Sequence, residues 1–281
     1  MTKWKEKFME FIFLIAACTS VMAVVLICIF LFANGIPAMK EIGFLNFLLG
    51  EKWKPSNNIF GILPMILGSI YVTAGAIVIG VPIGVLTSIF MAKFCPKKIY
   101  TFLKSSIELM AGIPSVVYGF FGLVILVPFV RETFGGHGSS ILTASLLLGM
   151  MILPTIVGVS EAALRAVPDQ YYEGALALGS THERSIFFVV LPAAKSGIVA
   201  AIVLGIGRAI GETMAVIMVA GNQARMPAGI LKGVRTLTAN IVIEMGYAAD
   251  LHREALIATA VVLFVFILII NLSVSVLNRR S

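Results

Sequence analysis

Long apolar runs, separated by short polar segments, extend over the whole chain. A membrane-spanning helix needs about 20 mostly apolar residues, and six stretches reach that length. They lie at about 11–33, 62–92, 107–130, 141–163, 197–220 and 255–277. Because none of them alternates apolar and polar residues, as the strands of a membrane barrel do, the pattern predicts an all-α membrane protein. We expect six transmembrane helices in a single domain over 1–281.

The composition excludes several classes of protein. Hydrophobic residues make up 59% of the chain and charged residues 12%, whereas a soluble domain has about 25% charged residues. A soluble enzyme and a nucleic-acid-binding domain are therefore excluded. The three cysteines and three histidines are scattered, so we expect neither a disulfide framework nor a metal site. Because no HExxH or GxSxG motif is present, we expect no catalytic residue.

Basic residues are unevenly divided between the two sides of the predicted bundle. Twelve of the 21 Lys and Arg residues lie in the N-terminus, in 93–106, in 164–196 or in the C-terminus. Cytoplasmic loops carry the excess of Lys and Arg, so this side is predicted to be cytoplasmic, with both termini inside. The first apolar run has 23 residues, longer than the ~7–15 of a secretory signal, and we expect it to remain as the first span.

The segment 164–196 is too polar to span the membrane, and its first half predicts a helix. Asp169 and Glu173 favour the positive end of a helix over 169–178. Gly179 suits the left-handed position that follows a helix end. We therefore expect a turn at this glycine.

The second half of this segment predicts another short helix. Ser180 and Glu183 have the spacing of a capping box for a helix over about 181–191, and Pro192 disturbs or ends that helix. Two interpretations of the helical pair remain open. It is either an element lying among the lipid headgroups or a docking element for a soluble partner.

The same segment resembles the EAA loop of ABC importer permeases. The family pattern is Glu-Ala-Ala, three residues, Gly, nine residues and Ile-x-Leu-Pro. The spacing is intact here, with Gly174 in place of Ala and Val189 in place of Ile. The resemblance implies that the loop over 165–192 docks on a cytoplasmic ATPase subunit and transmits its closing to the membrane helices. The residues assigned to this coupling are Glu173, Gly174, Ala175, Gly179, Phe187, Leu191 and Pro192.

The chain carries no ATP-binding motif of its own. No GxxxxGK[ST] sequence and no Gly-Lys pair occur in it, so it lacks the loop that cradles phosphates in such ATPases. The ATP and its Mg²⁺ are therefore expected on a separate ATPase polypeptide. We expect no cofactor in this chain.

A pair of charges lies within the fifth apolar run. Arg208 is about 16 Å deep at 1.5 Å per residue, and a charge at the bilayer centre costs at least ~2.5–3.5 kcal/mol on insertion scales. Glu212 lies one helical turn on and can pair with it, and Thr213 adds a hydroxyl. Arg208 is therefore either half of an internal salt bridge or an anion-handling group on a translocation path, since its planar fork binds phosphate oxygens in pairs.

A second candidate region lies at 108–119. Pro114 is expected to bend the third helix, and Ser115 and Tyr118 are candidates to face a path. Ser115 has an alternative use, because a serine in a helix can bond its own backbone. Glu108 is expected at the membrane interface rather than in the path.

Two stretches extend the resemblance. ELMAGIPSVVYGFFG at 108–122 and GIGRAIGETMAVIMVAGN at 205–222 are similar to phosphate importer permeases, and to PstC-type rather than PstA-type subunits. The resemblance covers about 60–275. It implies the type I ABC importer permease fold and ATP-driven import of inorganic phosphate across a bacterial inner membrane. It also implies that Arg208 and Glu212 line the phosphate path.

The resemblance further implies a set of partners. These are a PstA-type sister permease, a PstB-type ATPase dimer and an extracytoplasmic phosphate-binding protein, with the lipid bilayer around the chain and no nucleic acid. Loops 34–61 and 221–254 are expected outside, where they can receive the binding protein. For 221–254 a second interpretation stays open, in which the loop is a solvated cover over the helical bundle. Two alternatives stay open: a permease for another oxyanion, such as molybdate or sulfate, and a membrane scaffold in phosphate signalling.

Overall fold

The computed structural model describes residues 2–279 and the side chains of residues 5–273. The first half of the described chain contains six helices and a short antiparallel hairpin. They are α1 (Thr2–Ile42), α2 (Phe44–Leu49), β1 (Trp53–Lys54), β2 (Ile59–Phe60), α3 (Leu63–Ile89), α4 (Lys97–Gly112), α5 (Ser115–Phe121) and α6 (Val127–Phe134).

The second half of the described chain contains eight α-helices. They are α7 (Ile141–Arg165), α8 (Asp169–Ala177), α9 (His182–Ser185), α10 (Leu191–Ala193), α11 (Lys195–Gly211), α12 (Met214–Val219), α13 (Leu237–Met245) and α14 (Asp250–Arg279). Wider π-helical turns follow α3, α5 and α9, at 90–94, 122–126 and 186–190.

Five helices in the described residues are long and apolar enough to cross a membrane. They are Lys5–Ile42, Leu63–Phe94, Ser115–Phe134, Ile141–Arg165 and Asp250–Ser273. A sixth span results if His182–Ala193 and Lys195–Gly211, which meet at an angle of 69°, are taken together. The predicted helical membrane protein is thus confirmed. The count of six spans and the cytoplasmic position of both termini stay predictions.

Helices α3 and α7 form the centre of the bundle because small residues let their backbones approach. A Cβ on Gly80 would lie 2.8 Å from the Ile152 side chain, and one on Gly84 would lie 2.8 Å from Ile156. Close approach of this kind is what a GxxxG spacing permits. Gly207 and Gly211 have the same GxxxG spacing, but a Cβ on either of them would lie more than 4 Å from any other described atom that could limit it.

The third apolar run, predicted as one helix over 107–130, is divided in the structure. Helix α4 ends at Gly112, and α5 begins at Ser115 after an extended Ile113 and Pro114. The ring of a proline disfavours helical geometry in the residue before it. The membrane span therefore begins at Ser115 and continues to Phe134, which shifts its predicted boundaries.

The fifth run, predicted as one helix over 197–220, is divided as well. Helix α11 ends at Gly211, Glu212 has extended backbone angles, and α12 begins at Met214. Hydropathy did not reveal this break because the residues on both sides of it are apolar. Polar contacts satisfy the freed backbone, as an apolar environment requires. The Glu212 carbonyl accepts a hydrogen bond from the Thr238 hydroxyl of α13 at 3.0 Å.

Candidate functional site

The loop that resembles an EAA loop begins with α8 and a tight glycine turn. Gly179 has φ +83°, the left-handed conformation predicted for it. Its N–H donates to the Leu176 carbonyl at 2.9 Å, and the Ser180 N–H donates to the Ala175 carbonyl at 3.1 Å. These two bonds form a Schellman motif, which closes a helix end by satisfying its last carbonyls.

The second helix of this loop begins one residue later than its capping pattern predicted. The Thr181 hydroxyl, not that of Ser180, accepts a hydrogen bond from the Arg184 N–H at 3.3 Å and caps α9. Thr181 has the extended backbone of a cap, and Ser180 is used by the preceding turn. The chain then passes through a π-helical turn to α10, where Pro192 lies shortly before the 69° bend.

Apolar contacts hold this loop against the ends of α3 and α7. Ile186 and Val190 are fully buried and pack with Ile89 of α3 and Leu164 of α7. The two parts of the loop are also tied to each other, since the Tyr172 hydroxyl lies 2.7 Å from Nδ1 of His182. Displacement of the loop must therefore act on the ends of two membrane helices.

The opposite side of the loop is open and apolar. Phe187 is 44% exposed, as expected for a docking residue, but Phe188 is 75% and Leu178 91% exposed. Phe188 and Leu178 were not predicted as docking residues from the sequence. Leu178 lies directly before the glycine turn and Phe188 directly after Phe187, and these positions could have indicated exposed apolar residues. The other coupling candidates, which are Glu173, Gly174, Ala175, Gly179, Leu191 and Pro192, are exposed or half-exposed.

A buried carboxylate that the hydropathy pattern did not reveal lies near the start of the loop. Glu161 of α7 is 2% exposed. It accepts hydrogen bonds from the Tyr100 hydroxyl at 2.7 Å, from Lys104 Nζ at 3.0 Å and from Arg165 Nε at 2.8 Å. Arg165 also donates to the Met91 carbonyl at 3.1 Å. The Glu161 cluster, defined as Glu161 with Tyr100, Lys104 and Arg165, thereby joins α4 and α7 to the π-helical turn that follows α3.

Glu161 also changes the titration of its two partners on α4. Its hydrogen bond with Tyr100 raises the pKa of that phenol, because the bond holds the proton in place. Its hydrogen bond with Lys104 raises the pKa of the ammonium group for a related reason, since the carboxylate favours the charged form.

Arg208 lies in the last turn of α11, and its surroundings differ from those predicted. Its Nη1 donates to the Thr155 hydroxyl of α7 at 3.1 Å. A guanidinium has five N–H donors, and this is the one hydrogen bond that Arg208 forms among the described residues. It forms no ion pair with Glu212. The predicted pairing over one helical turn is therefore wrong, because the helix ends before Glu212.

Glu212 is used at the break itself. Its Oε1 accepts hydrogen bonds from the backbone N–H groups of Thr213, at 3.1 Å, and of Ala215, at 3.3 Å. A carboxylate at this place satisfies the first donors of α12 and favours the positive end of the helix. The Thr213 hydroxyl donates to the Gly211 carbonyl at 3.2 Å. Glu212 is half-buried. Its carboxylate accepts hydrogen bonds from the α12 backbone and does not pair with Arg208.

The break between α4 and α5 lies in the same part of the molecule. Tyr118 is buried, and its hydroxyl donates to the Met110 carbonyl of α4 at 2.9 Å. Tyr118 belongs to the same buried cluster as Ala209, the residue after Arg208, so the structure places these two candidates in the same region. A Cβ on Gly119 would lie 2.9 Å from Ala215 of α12, so the two broken helices are closely packed. Ser115 is half-exposed at the first position of α5.

A second buried carboxylate lies in the segment 221–254. Glu244 of α13 accepts hydrogen bonds from Arg235 and from Nε1 of Trp53, the latter at 2.8 Å, and lies 2.9 Å from Nε2 of His252. These contacts join α13, the hairpin and α14. Polar contacts that were not predicted from the sequence therefore order this segment.

Comparisons with known proteins agree with this arrangement. Residues 84–281 match a family described as "Binding-protein-dependent transport system inner membrane component". The chain is 38% identical over 271 residues to "Probable ABC transporter permease protein YqgH" of Bacillus subtilis, covering 92% of this chain and 88% of that protein. It is 35% identical over 265 residues to "Phosphate transport system permease protein PstC" of Mesorhizobium japonicum, covering 87% and 81%.

Solved structures of ABC transporters share the fold. An inward-facing MetNI methionine transporter superposes with a TM-score of 0.64 at 19% identity, over 82% of this chain and 99% of that chain. A bacterial alginate transporter bound to its periplasmic protein superposes with a TM-score of 0.64 at 16% identity, over 95% and 94%.

Proposed function

Because this chain belongs to the family of binding-protein-dependent transport system inner membrane components, we propose that it carries inorganic phosphate through the membrane. The chain is a permease subunit of an ABC importer, and the predicted resemblance to PstC-type permeases is confirmed. Phosphate as its substrate is our inference from two sources. One is the printed function of several relatives, and the other is the chemistry around Arg208.

The state of Arg208 is the observation that carries the proposal. Its single partner in the described structure is a neutral hydroxyl, and the nearby carboxylate caps another helix. Four N–H donors of a charged fork therefore remain for a ligand. A tetrahedral oxyanion suits this fork because it offers pairs of oxygens at matching spacing.

Transport requires that this binding be transient. A conduction site must attract its ion and still release it. Arg208 provides attraction through one charge, while Glu212 keeps a carboxylate near the break and opposes tight retention. We propose that Thr213, Ser115 and Tyr118 supply polar groups along the same path.

The exposed face of the loop over 165–192 is the proposed contact with the ATPase. Leu178, Phe187 and Phe188 offer apolar side chains to a groove, and apolar anchors on a short helix commonly dock in this way. We propose that a PstB-type ATPase dimer binds there and holds the ATP and Mg²⁺. Its closure pulls the loop, and the buried Ile186 and Val190 pass the movement to α3 and α7.

The remaining parts of the proposal concern placement. Both termini and the loop over 165–192, called the coupling loop from here on, lie in the cytoplasm, in keeping with the excess of Lys and Arg on that side. A PstA-type sister permease closes the path, and a phosphate-binding protein docks outside on 34–61 and 221–254. The membrane is the bacterial inner membrane.

Uptake of radiolabelled phosphate tests the substrate. Cells with and without this chain are compared at low phosphate, with excess unlabelled sulfate and molybdate as competitors. We expect uptake that depends on the chain and ignores both competitors. Uptake that sulfate or molybdate reduces would move the proposal to another oxyanion, and uptake independent of the chain would favour a scaffold in phosphate signalling.

A further inference from the structure

Thr155 is the only hydrogen-bond partner of the Arg208 side chain among the described residues. It lies on α7 directly after Pro154, and its hydroxyl accepts from Nη1 of Arg208 at 3.1 Å. The contact joins α7 to the last turn of α11 beside the helix break. It is therefore well placed to set the orientation of the guanidinium.

The hydroxyl of Thr155 is used differently from that of other helical threonines. A threonine within a helix commonly donates to the carbonyl four residues before it. Thr101 does so at 3.2 Å and Thr259 at 2.9 Å. Thr155 forms no such bond in the described structure, where its oxygen only accepts from Arg208. Its own O–H donor therefore remains for another group.

The surroundings of this pair are open. A Cβ on Gly158, three residues beyond Thr155 on α7, would meet nothing within 4 Å, and the same is true of Gly207 and Gly211 beside Arg208 on α11. The space beside Gly205, three residues before Arg208, is filled, since a Cβ there would lie 3.0 Å from Ile156. The helices thus pack on the side of Gly205, whereas no described atom closes the space beside Gly158, Gly207 and Gly211.

We propose that Thr155 is a second anion-binding residue of the path. Its oxygen accepts from Nη1 and orients the fork of Arg208, while its O–H donates to an oxygen of the tetrahedral oxyanion that Arg208 attracts. Two helices, α7 and α11, then contribute to one site. This inference rests on the proposed function of Arg208.

Two substitutions separate the hydroxyl from the shape of the side chain. Thr155→Val keeps the branched shape and removes the hydroxyl, whereas Thr155→Ser keeps the hydroxyl. Thr259→Val is the matched control, because it removes a hydroxyl from a buried helical threonine in α14. The measurement is the initial rate of phosphate uptake, divided by the amount of this chain that co-purifies with its ATPase.

We expect Thr155→Val to lower this normalised rate about tenfold, the order of one lost hydrogen bond to a charged group. Thr155→Ser and Thr259→Val should stay near the wild-type rate. The phosphate concentration at half-maximal uptake should not change, because the binding protein captures the substrate first. Equal rates for the Val and Ser variants would overturn the inference.

A double substitution tests whether the hydroxyl acts through the same site. Arg208→Lys keeps the charge and loses the fork, so adding Thr155→Val to it should lower uptake by much less than tenfold. Full additivity would indicate separate roles and contradict the inference. Arg208→Gln distinguishes the two proposals. Normal uptake in Arg208→Gln would refute the path assignment, whereas its loss together with normal uptake in Thr155→Val would refute only the role of Thr155.

Discussion

Glu161 and Arg208 are both charged residues in apolar helices, but their surroundings are opposite. Glu161 accepts hydrogen bonds from three side chains, two of which are cationic. Arg208 donates to one neutral hydroxyl in the described structure. A charge that is fully paired can hold helices together, whereas one that keeps free donors can bind a ligand. The difference is consistent with a structural role for the Glu161 cluster and with the path role proposed for Arg208.

The energetic cost explains why the difference is informative. A charge removed from water without partners is strongly unfavourable, and each such group in a membrane helix needs a partner or a function. The partners of Glu161 meet this cost within the chain. The one hydroxyl that contacts Arg208 does not offset the cost of removing its charge from water. Water or a passing anion must therefore solvate the rest of the guanidinium.

The largest expected effect on stability comes from Glu161→Gln. It removes the charge that Lys104 and Arg165 share, and we expect a loss of about 1–3 kcal/mol in the free energy of unfolding. The effect is not larger because these partners are 35% and 46% exposed and can regain water. Denaturation of the purified complex in mild detergent measures it. Arg208→Gln is the control and should unfold like the wild type. An equal loss of unfolding free energy in both variants would contradict the difference drawn between Glu161 and Arg208.

The next effect concerns the turn of the coupling loop. Gly179→Ala places a Cβ on a left-handed residue, which costs about 1–2 kcal/mol, although no atom lies within 4 Å. Less ATPase should then co-purify with the chain. Gly174→Ala is the matched control, because it adds the same methyl group to open space within α8 and restores the family pattern. If both variants retained the ATPase equally, the turn would have no part in docking.

A smaller effect distinguishes the two hydroxyls at the start of α9. Thr181→Ala removes the cap that bonds the Arg184 N–H and should cost about 1 kcal/mol, seen as weaker ATPase binding. Ser180→Ala should bind the ATPase normally, since its hydroxyl does not cap the helix. Weaker ATPase binding by Ser180→Ala than by Thr181→Ala would instead support the capping box of Ser180 and Glu183 that the sequence predicted.

The smallest effect is a pH dependence at the alkaline end. Tyr100 and Lys104 have pKa values raised above their ordinary 10.0 and 10.5. Their contribution to stability is thus complete below about pH 10 and is lost as the pH rises through the raised values. The unfolding temperature of the wild type should fall more steeply above pH 10 than that of Glu161→Gln. Parallel curves would mean that the cluster does not act through these protons.

The sequence predicted those features that depend on residues close together in the chain. Hydropathy located the apolar helices, and Gly179 identified a turn that the structure places in the left-handed region. Ser180 was selected over Thr181 because both are capping residues, and only the preceding turn decides between them. Tyr118 and Arg208 were each selected from local sequence, and the structure places Tyr118 in the same buried cluster as Ala209, the residue after Arg208.

Other features depend on contacts between distant parts of the chain. The break at Glu212 was not predicted because a hydropathy pattern does not record where a backbone carbonyl finds Thr238. Glu161 was overlooked within the run 141–163, although an acid four residues before Arg165 was an available signal. Thr155 carried no signal, since its importance comes only from its distance to Arg208.

Phosphate transport by Arg208→Gln tests the central claim most directly. The complex of this chain with its partners is reconstituted in vesicles, and ATP hydrolysis and phosphate accumulation are measured together. Arg131→Gln, which removes an exposed arginine of α6, serves as the control. We predict that Arg208→Gln assembles and hydrolyses ATP but accumulates about a hundredfold less phosphate, which corresponds to an increase of roughly 2.7 kcal/mol in the transport barrier. Accumulation equal to that of Arg131→Gln would contradict the assignment of Arg208 to the path.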